Sequence, residues 1–185
     1  MGGGGKATVT LRGRPLVEHA LSALAPVVDE LVVVAKRATP LPDALSAPVW
    51  EDEVEDHHPR HGIVRALRGA AGADVLVLAV DLPLMDAATL ARLRDAGAVA
   101  REVESGRVQP LCGRYPARAL ALLEAAPPGE PLTRTVLDRL APPLLDVPTP
   151  LLLNVNVPED LARAEALGSP APCEPSAPPS RSARP

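Results

Sequence analysis

Residues 74–80 read Asp-Val-Leu-Val-Leu-Ala-Val (DVLVLAV), and the run ends at Asp81. This continuous run of β-branched and aliphatic residues is the strongest signal in the chain for a strand buried on both faces of a sheet. A second such run, Glu30 to Ala35 (ELVVVA), precedes it. Because a strand buried on both faces needs helices on each side of its sheet, the two runs predict an α/β protein with a mostly parallel sheet.

The rest of the chain supports this class, because strand-like and helix-like segments alternate along it. Helical periodicity or helix-opening residues predict helices over about 15–24, 62–71, 86–95, 116–125, 132–140 and 158–167. Further strands are predicted over 7–11, 49–50, 99–103, 108–113 and 151–155. Asp86 is expected to cap the helix that follows it.

Length and composition predict a single domain over residues 1–167. The chain has 185 residues, and 46% of them are hydrophobic, which is enough for one compact core. Residues 168–185 are mostly Pro, Ser, Ala and Arg, so they offer little to bury and are predicted to be a disordered tail.

The composition also argues against several classes of function. No run approaches the roughly 20 apolar residues of a membrane span, and no secretory signal precedes the first strand. A net charge of −4, with Trp50 and Tyr115 as the only aromatic residues, argues against nucleic-acid binding. Cys112 and Cys173 show neither zinc spacing nor a disulfide framework, so a reducing cytoplasm is the simplest location.

The first candidate site is the glycine run Gly2 to Gly5, which is followed by Lys6. Successive glycines let backbone N–H groups approach phosphates, and a lysine supplies a compact positive charge for them. Lysine occurs only at Lys6 and Lys36, whereas the other cationic residues are arginines, so Lys6 favours a phosphate site slightly. The alternative is a flexible N-terminus or the remnant of an expression tag.

Two carboxylates follow predicted strands. Asp81 lies at the carboxyl end of the buried strand, where open α/β sheets bind ligands, and it could hold Mg²⁺ against a triphosphate. The alternative is an aspartate that caps a turn or a helix. Most of the acidic run Glu51 to Asp56 fits a solvated loop, and Asp52 is its best candidate for reaching the same edge of the sheet.

Two other polar clusters carry weaker signals. His57, His58 and His61 flank Pro59, and a surface loop explains them better than a metal site. Asn154 and Asn156 end the last predicted strand on one face. Their amides could bind a pterin or the edge of a base, and their chemistry alone favours capping of the following helix.

Taken in order, these residues resemble the molybdenum cofactor guanylyltransferase family of nucleotidyltransferases. The resemblance covers nearly the whole predicted domain. Its most specific part is the ending NVNxPEDL, which is close to the family's NVNTPEEL. The matching segments are Met1-Gly2-x-x-x-Lys6, Leu11-x-Gly13-x-Pro15-Leu16, Glu51-Asp52, Asp81-x-Pro83, Gln109-Pro110-Leu111 and Asn154 to Leu161.

The resemblance implies a Rossmann-like, three-layer α/β/α fold. The family's first strand and the first half of its nucleotide-binding loop (LAGGxSxR) are missing from this chain. It also implies GTP and molybdopterin as substrates and Mg²⁺ as the cofactor, with GMP transferred to the phosphate of molybdopterin and pyrophosphate released. Molybdoenzymes are possible protein partners.

Carried over residue by residue, the resemblance assigns a role to each candidate residue. Gly2, Gly3 and Lys6 would contact the triphosphate. Asp52 would help to hold the guanosine half, and Asp81 would hold the metal. Asn154 and Asn156 would lie beside the pterin, and Lys6 and Asp81 would be the catalytic pair.

The sequence leaves two alternatives to the guanylyltransferase function. One is the cytidylyltransferase that modifies the same cofactor, whose final motif tends to carry Asp where this chain has Asn154 and Asn156; the two asparagines therefore favour guanine. The other is a degenerate, non-catalytic relative that binds the cofactor or a partner enzyme. The departures at the N-terminus and at His58 to Gly62 are what keep this second alternative open.

Overall fold

The computed structural model describes residues 5–167, and it has the α/β architecture that the sequence predicts. Residues 1–4 and the predicted tail, 168–185, lie outside the described residues, so the domain boundary at 167 stays a prediction. The strands are β1 (Thr10–Leu11), β2 (Arg14–Pro15), β3 (Val33–Ala35), β4 (Val49–Glu51), β5 (Val75–Leu78), β6 (Val99–Glu102), β7 (Val108–Tyr115) and β8 (Leu144–Val147). The α-helices are α1 (Leu16–Leu24), α2 (Arg60–Gly69), α3 (Ala87–Ala96), α4 (Ala119–Glu124), α5 (Leu132–Thr135) and α6 (Pro158–Leu167).

The largest sheet has four strands in the order β5-β7-β6-β8. The pair β6–β8 is parallel, whereas β7 runs antiparallel to both β5 and β6. The sheet is therefore mixed rather than mostly parallel. The cause is local: a short connection that contains Gly106, at φ 70°, joins β6 directly to β7, and a connection of this length can only join antiparallel strands.

Helices cover both faces of this sheet, which makes the predicted three layers. In β5, Leu76 and Leu78 pack with α1 and α3, whereas Val75 and Val77 pack with α2, α4 and α5. Alternate residues thus enter different cores, as expected for a strand buried on both sides. This confirms that both faces of β5 are covered, although each of its four residues is half-buried rather than fully buried.

Strands β3 and β4 form a separate parallel pair, in which Ala35 is in register with Glu51. Within residues 5–167 no backbone hydrogen bond joins β3 to β5. A cavity of about 880 Å³ opens beside the start of β5 and the segment that precedes β3, and its apolar lining includes Leu31, Val75 and Leu76. In the family that the sequence resembles, the first strand would lie beside these two strands.

The N-terminal part of the described chain differs from the predicted strand over 7–11. Lys6–Thr8 form a 3₁₀ turn, and only Thr10–Leu11 are extended, in a two-strand hairpin with β2. Arg12 and Gly13 both have positive φ, 51° and 76°, as a tight hairpin turn with mirror-image geometry requires.

Near the C-terminus the strand predicted over 151–155 was wrong. Residues 149–152 form a 3₁₀ turn and residues 153–156 form no regular element, because Pro148 and Pro150 fix the backbone and neither has an N–H group for a sheet. The true strand is β8, which the sequence analysis missed because Pro143 and Pro148 flank it closely. Both prolines lie outside the strand, so its bonding to β6 is undisturbed. Strand β3 is also shorter than the predicted 30–35.

Among the described residues, no helix has both the length and the apolar character needed to cross a membrane.

Candidate active site

The site begins at the carboxyl end of β5. After Leu78 the strand continues in one further ladder bond, Ala79 N–H to the carbonyl of Leu111, and the chain then turns at Asp81. The Lys6 ammonium donates to the Asp81 carboxylate at 2.9 Å, although 75 residues separate the two in sequence. Their side chains are 21% and 18% exposed, so both face a partly open edge where a ligand can reach them.

The asparagine segment reaches the same place through the backbone. The N–H of Val155 donates to the carbonyl of Asp81 at 2.8 Å, which fixes the segment beside the strand end. Lys6 also donates to the side-chain oxygen of Asn156, and the Asn156 amide donates to Asn154 Oδ1 at 2.7 Å. The structure therefore brings four of the predicted site residues into one hydrogen-bonded cluster: Lys6, Asp81, Asn154 and Asn156.

The sequence favoured Asn154 and Asn156 as caps of α6, but Asp160 accepts the hydrogen bonds at the start of this helix. Asp160 Oδ2 accepts from the N–H groups of Asn156, at 3.0 Å, and Val157, at 3.2 Å. This is the reach-back half of a capping box, with an acidic residue in the first turn of α6. The two side-chain amides point instead to each other and to Lys6.

Asp52 lies directly after β4 and is almost buried, at 8% exposure. Within the described residues it pairs with Lys36 rather than with Lys6. Its Oδ2 atom forms an ion pair with the Lys36 ammonium at 2.7 Å, and its Oδ1 accepts from the N–H of Val54 at 3.2 Å. Asp52 also lines a cavity of about 750 Å³, with Arg60 and Arg65 among the other lining residues.

Lys36 is the residue at this site that the sequence analysis missed. It is one of the two lysines that stand out in an arginine-rich chain, and this signal could have found it. Each of the two lysines is paired with an aspartate that follows a strand: Lys6 with Asp81, and Lys36 with Asp52.

The remaining candidates are the glycine run and the histidines. Gly2 and Gly3 lie outside the described residues, whereas Gly5 begins the 3₁₀ turn of Lys6 and accepts from both the N–H and the hydroxyl of Thr8. His61 pairs with Asp56 at 3.2 Å on the surface. No group of three or more His, Cys, Asp or Glu residues suited to a metal ion occurs within residues 5–167.

The donor set at Asp81 nevertheless fits Mg²⁺ that arrives with a nucleotide. The protein offers one carboxylate and two amide oxygens, which are hard ligands of the kind this ion prefers. Mg²⁺ is usually bound through one or two carboxylates, with substrate phosphates and water as its other ligands, so a complete protein cage is not required.

A mixed three-layer sandwich with a lysine, a carboxylate and two amides at a strand end fits the nucleotidyltransferases, and comparison with known proteins gives the family. A family model described as the MobA-like NTP transferase domain matches residues 1–144. The chain belongs to this family.

Named relatives and a solved structure agree with the family. A molybdenum cofactor guanylyltransferase of Cereibacter sphaeroides is 41% identical over 176 residues, which cover 90% of each chain. One of Pseudomonas syringae pv. syringae is 34% identical, over 85% of this chain and 83% of that protein. The crystal structure of molybdopterin-guanine dinucleotide biosynthesis protein A from Archaeoglobus fulgidus superposes with a TM-score of 0.66 at 25% identity, over 88% of this chain and 89% of that one.

Proposed function

We propose that this chain is a molybdenum cofactor guanylyltransferase, which transfers GMP from GTP to the phosphate of molybdopterin and releases pyrophosphate. The observation that carries the proposal is the Lys6–Asp81–Asn156 cluster at the carboxyl end of β5, in a member of the MobA-like family. The relatives' names give the nucleotide and the acceptor.

The reaction needs little covalent chemistry from the protein. An oxygen of the molybdopterin phosphate attacks the α-phosphorus of GTP, and the bond from the α-phosphorus to the oxygen that bridges it to the β-phosphate breaks. One phosphoanhydride bond forms as another is lost, and the electron pair leaves with pyrophosphate. Catalysis then rests on holding the two phosphates in line and on stabilising the negative charge that grows on the leaving group.

Lys6 is suited to the second task. Its ammonium is a compact point charge that hydrogen bonds to Asp81 and Asn156 hold in place. The side chain therefore needs little rearrangement when a triphosphate binds. The backbone N–H groups of Gly2 and Gly3 would add donors beside it. Asp81 would hold Mg²⁺, and when bound this ion neutralises charge on the phosphates.

The other polar residues would orient the two substrates. Asp52 would accept hydrogen bonds from the guanosine half, and Asn154 and Asn156 would contact the pterin. The domain would comprise residues 1–167. The protein would work in the cytoplasm and hand its product to molybdoenzymes.

The test is a transfer assay with molybdopterin, Mg²⁺ and either GTP or CTP. We expect incorporation of GMP and none of CMP. Incorporation of CMP alone would identify the cytidylyltransferase instead. Binding of molybdopterin without transfer from either nucleotide would identify the non-catalytic relative. The names of the relatives favour neither of these alternatives.

A further inference from the structure

Lys36 makes a set of contacts that differs from that of Lys6. Lys36 follows β3 directly and Asp52 follows β4 directly, and the two strands are parallel and in register up to Ala35 and Glu51. The ladder extends one step further, because the N–H of Asp52 donates to the carbonyl of Ala35 at 2.8 Å. The fold therefore places the two side chains side by side at one strand end.

The Lys36 ammonium is fully occupied. It contacts Asp52 Oδ2 at 2.7 Å, the carbonyl of Asp56 at 2.8 Å and the carbonyl of Val54. An ammonium has three N–H donors, and each has an acceptor here. Lys36 thus has no donor left for a phosphate, whereas its contacts fasten the loop 52–56 onto the end of β3.

Asp52 keeps acceptor capacity of its own. A carboxylate has about four lone-pair directions, and the contacts with Lys36 and Val54 use two of them. The carboxylate borders the cavity of about 750 Å³, which is a usual size for a small-molecule site. Nucleosides carry hydroxyl and amino donors that match such an acceptor.

We infer that Lys36 is a positioning residue for nucleoside binding: it holds Asp52 and the loop 52–56 in place so that this carboxylate can accept from the nucleoside. The inference rests on the proposed function for the identity of the nucleotide. Lys36 also offsets the Asp52 charge, which would otherwise repel the anionic nucleotide. A role of this kind affects binding of the nucleotide more than the chemical step.

The test compares Lys36→Met with Lys36→Arg and with Arg37→Met, by titration with GTP and Mg²⁺ and by steady-state kinetics. Arg37 is the matched control, because it is the next residue and its ion pair with Glu51 lies on the surface, with Arg37 85% exposed. We expect Lys36→Met to raise the Kd and KM for GTP about ten- to a hundredfold, as the loss of a charged hydrogen bond does, with a smaller change in kcat. Lys36→Arg should recover part of the affinity, and Arg37→Met should match the wild type.

A double variant tests whether GTP binding needs the Asp52 carboxylate that Lys36 holds, and not only a stable fold. Lys36→Met leaves a buried carboxylate without its counter-charge, so the variant should melt at a lower temperature. Adding Asp52→Asn removes that charge, and the melting temperature should recover. The affinity for GTP should stay low, because the acceptor carboxylate is gone. Recovery of both would show that GTP binding does not need the Asp52 carboxylate, and would overturn the inference.

The inference and the proposed function fail in different ways. If the wild type binds GTP and Lys36→Met binds it equally well, the inference about Lys36 is wrong and the proposed function stands. If the wild type binds GTP and the Lys36 variants weaken that binding, but no GMP reaches molybdopterin, the inference stands and the proposed function is wrong. If the wild type does not bind GTP in the titration, both are wrong.

Discussion

The Asp81 carboxylate lies 2.9 Å from the Lys6 ammonium at the carboxyl end of β5. We expect Asp81→Asn to reduce Mg²⁺-dependent transfer about a hundredfold or more, because the amide keeps the shape but loses the charge that a hard cation needs. The melting temperature should change little, since this partly exposed ion pair contributes only about 1 kcal/mol. Asp95→Asn is the control, because Asp95 pairs with Arg94 on the surface. Near-normal turnover of Asp81→Asn at ordinary Mg²⁺ would make Asp81 a turn residue only.

Cys112 gives a second prediction at this scale. Its thiol is fully buried in the core, and burial raises the pKa of Cys112 to about 12. Because the thiolate is the reactive form, the folded protein should resist a thiol reagent at pH 8, whereas the unfolded protein should react at once. The measurement uses Cys173→Ser, so that Cys112 is the only thiol. Rapid labelling of this variant under native conditions would contradict the burial.

Glycines test the packing between elements. A Cβ atom at Gly113, on β7, would lie 2.7 Å from the Cα of Val99 and 2.8 Å from the carbonyl oxygen of Ala98. Backbone cannot yield as a flexible side chain can, so Gly113→Ala should cost about 1–3 kcal/mol and lower the melting temperature by roughly 3–10 °C. Gly62→Ala is the matched control: a Cβ there meets nothing within 4 Å, and alanine favours helix α2 by up to about 1 kcal/mol. Equal melting temperatures for the two variants would show that β6 and β7 pack more loosely than described.

The cap of α3 could be predicted from the sequence, whereas part of the strand arrangement in the large sheet could not. Asp86 caps α3 as predicted, accepting from the N–H of Thr89 at 2.6 Å, because a cap is a local signal. The direction of β7 relative to β6 is a local signal too, because the short connection through Gly106 can only join antiparallel strands. The pairing of β7 with β5 is not local, since it depends on connections and packing across the whole domain, and the sequence alone does not show it.

The same distinction holds within the site. Asp81 and Asp52 could be predicted because each follows a strand with a clear apolar signal. The ion pair of Lys36 with Asp52 could not, because nothing local shows that β3 and β4 are paired in register. The hydrogen bonds of the Asp160 carboxylate with the N–H groups of Asn156 and Val157 were not predicted, because the asparagines before it are good capping residues themselves.

At the scale of the whole molecule, the gap between β3 and β5 is the main structural feature to test. Within residues 5–167 no backbone hydrogen bond joins the two strands, and Leu31, Val75 and Leu76 line a cavity beside the start of β5. A strand and loop of about 15–20 residues, attached in front of Met1, should fill this cavity and anchor the glycine run beside Lys6. We expect the extended protein to be more soluble, to melt at a higher temperature and to bind GTP–Mg²⁺ more tightly than the 185-residue chain. Identical melting temperatures and GTP affinities for the two proteins would show that no added strand binds in this cavity.

The segment 168–185 provides a second test at this scale. Its sequence offers almost no apolar surface, so burial cannot offset the entropy of ordering it. Deletion of Gly168 to Pro185 should leave the melting temperature nearly unchanged in a thermal scan. A drop of many degrees would mean that this segment docks on the domain.

The most direct test of the whole account is to measure both products of the transfer reaction at once. The protein is incubated with molybdopterin, GTP and Mg²⁺, and the guanine dinucleotide of molybdopterin and the pyrophosphate are quantified in the same samples. We expect the two products to appear together in equal amounts, because one phosphoanhydride bond forms for each one broken. Pyrophosphate without the dinucleotide, or release of free phosphate from GTP in place of pyrophosphate, would contradict it.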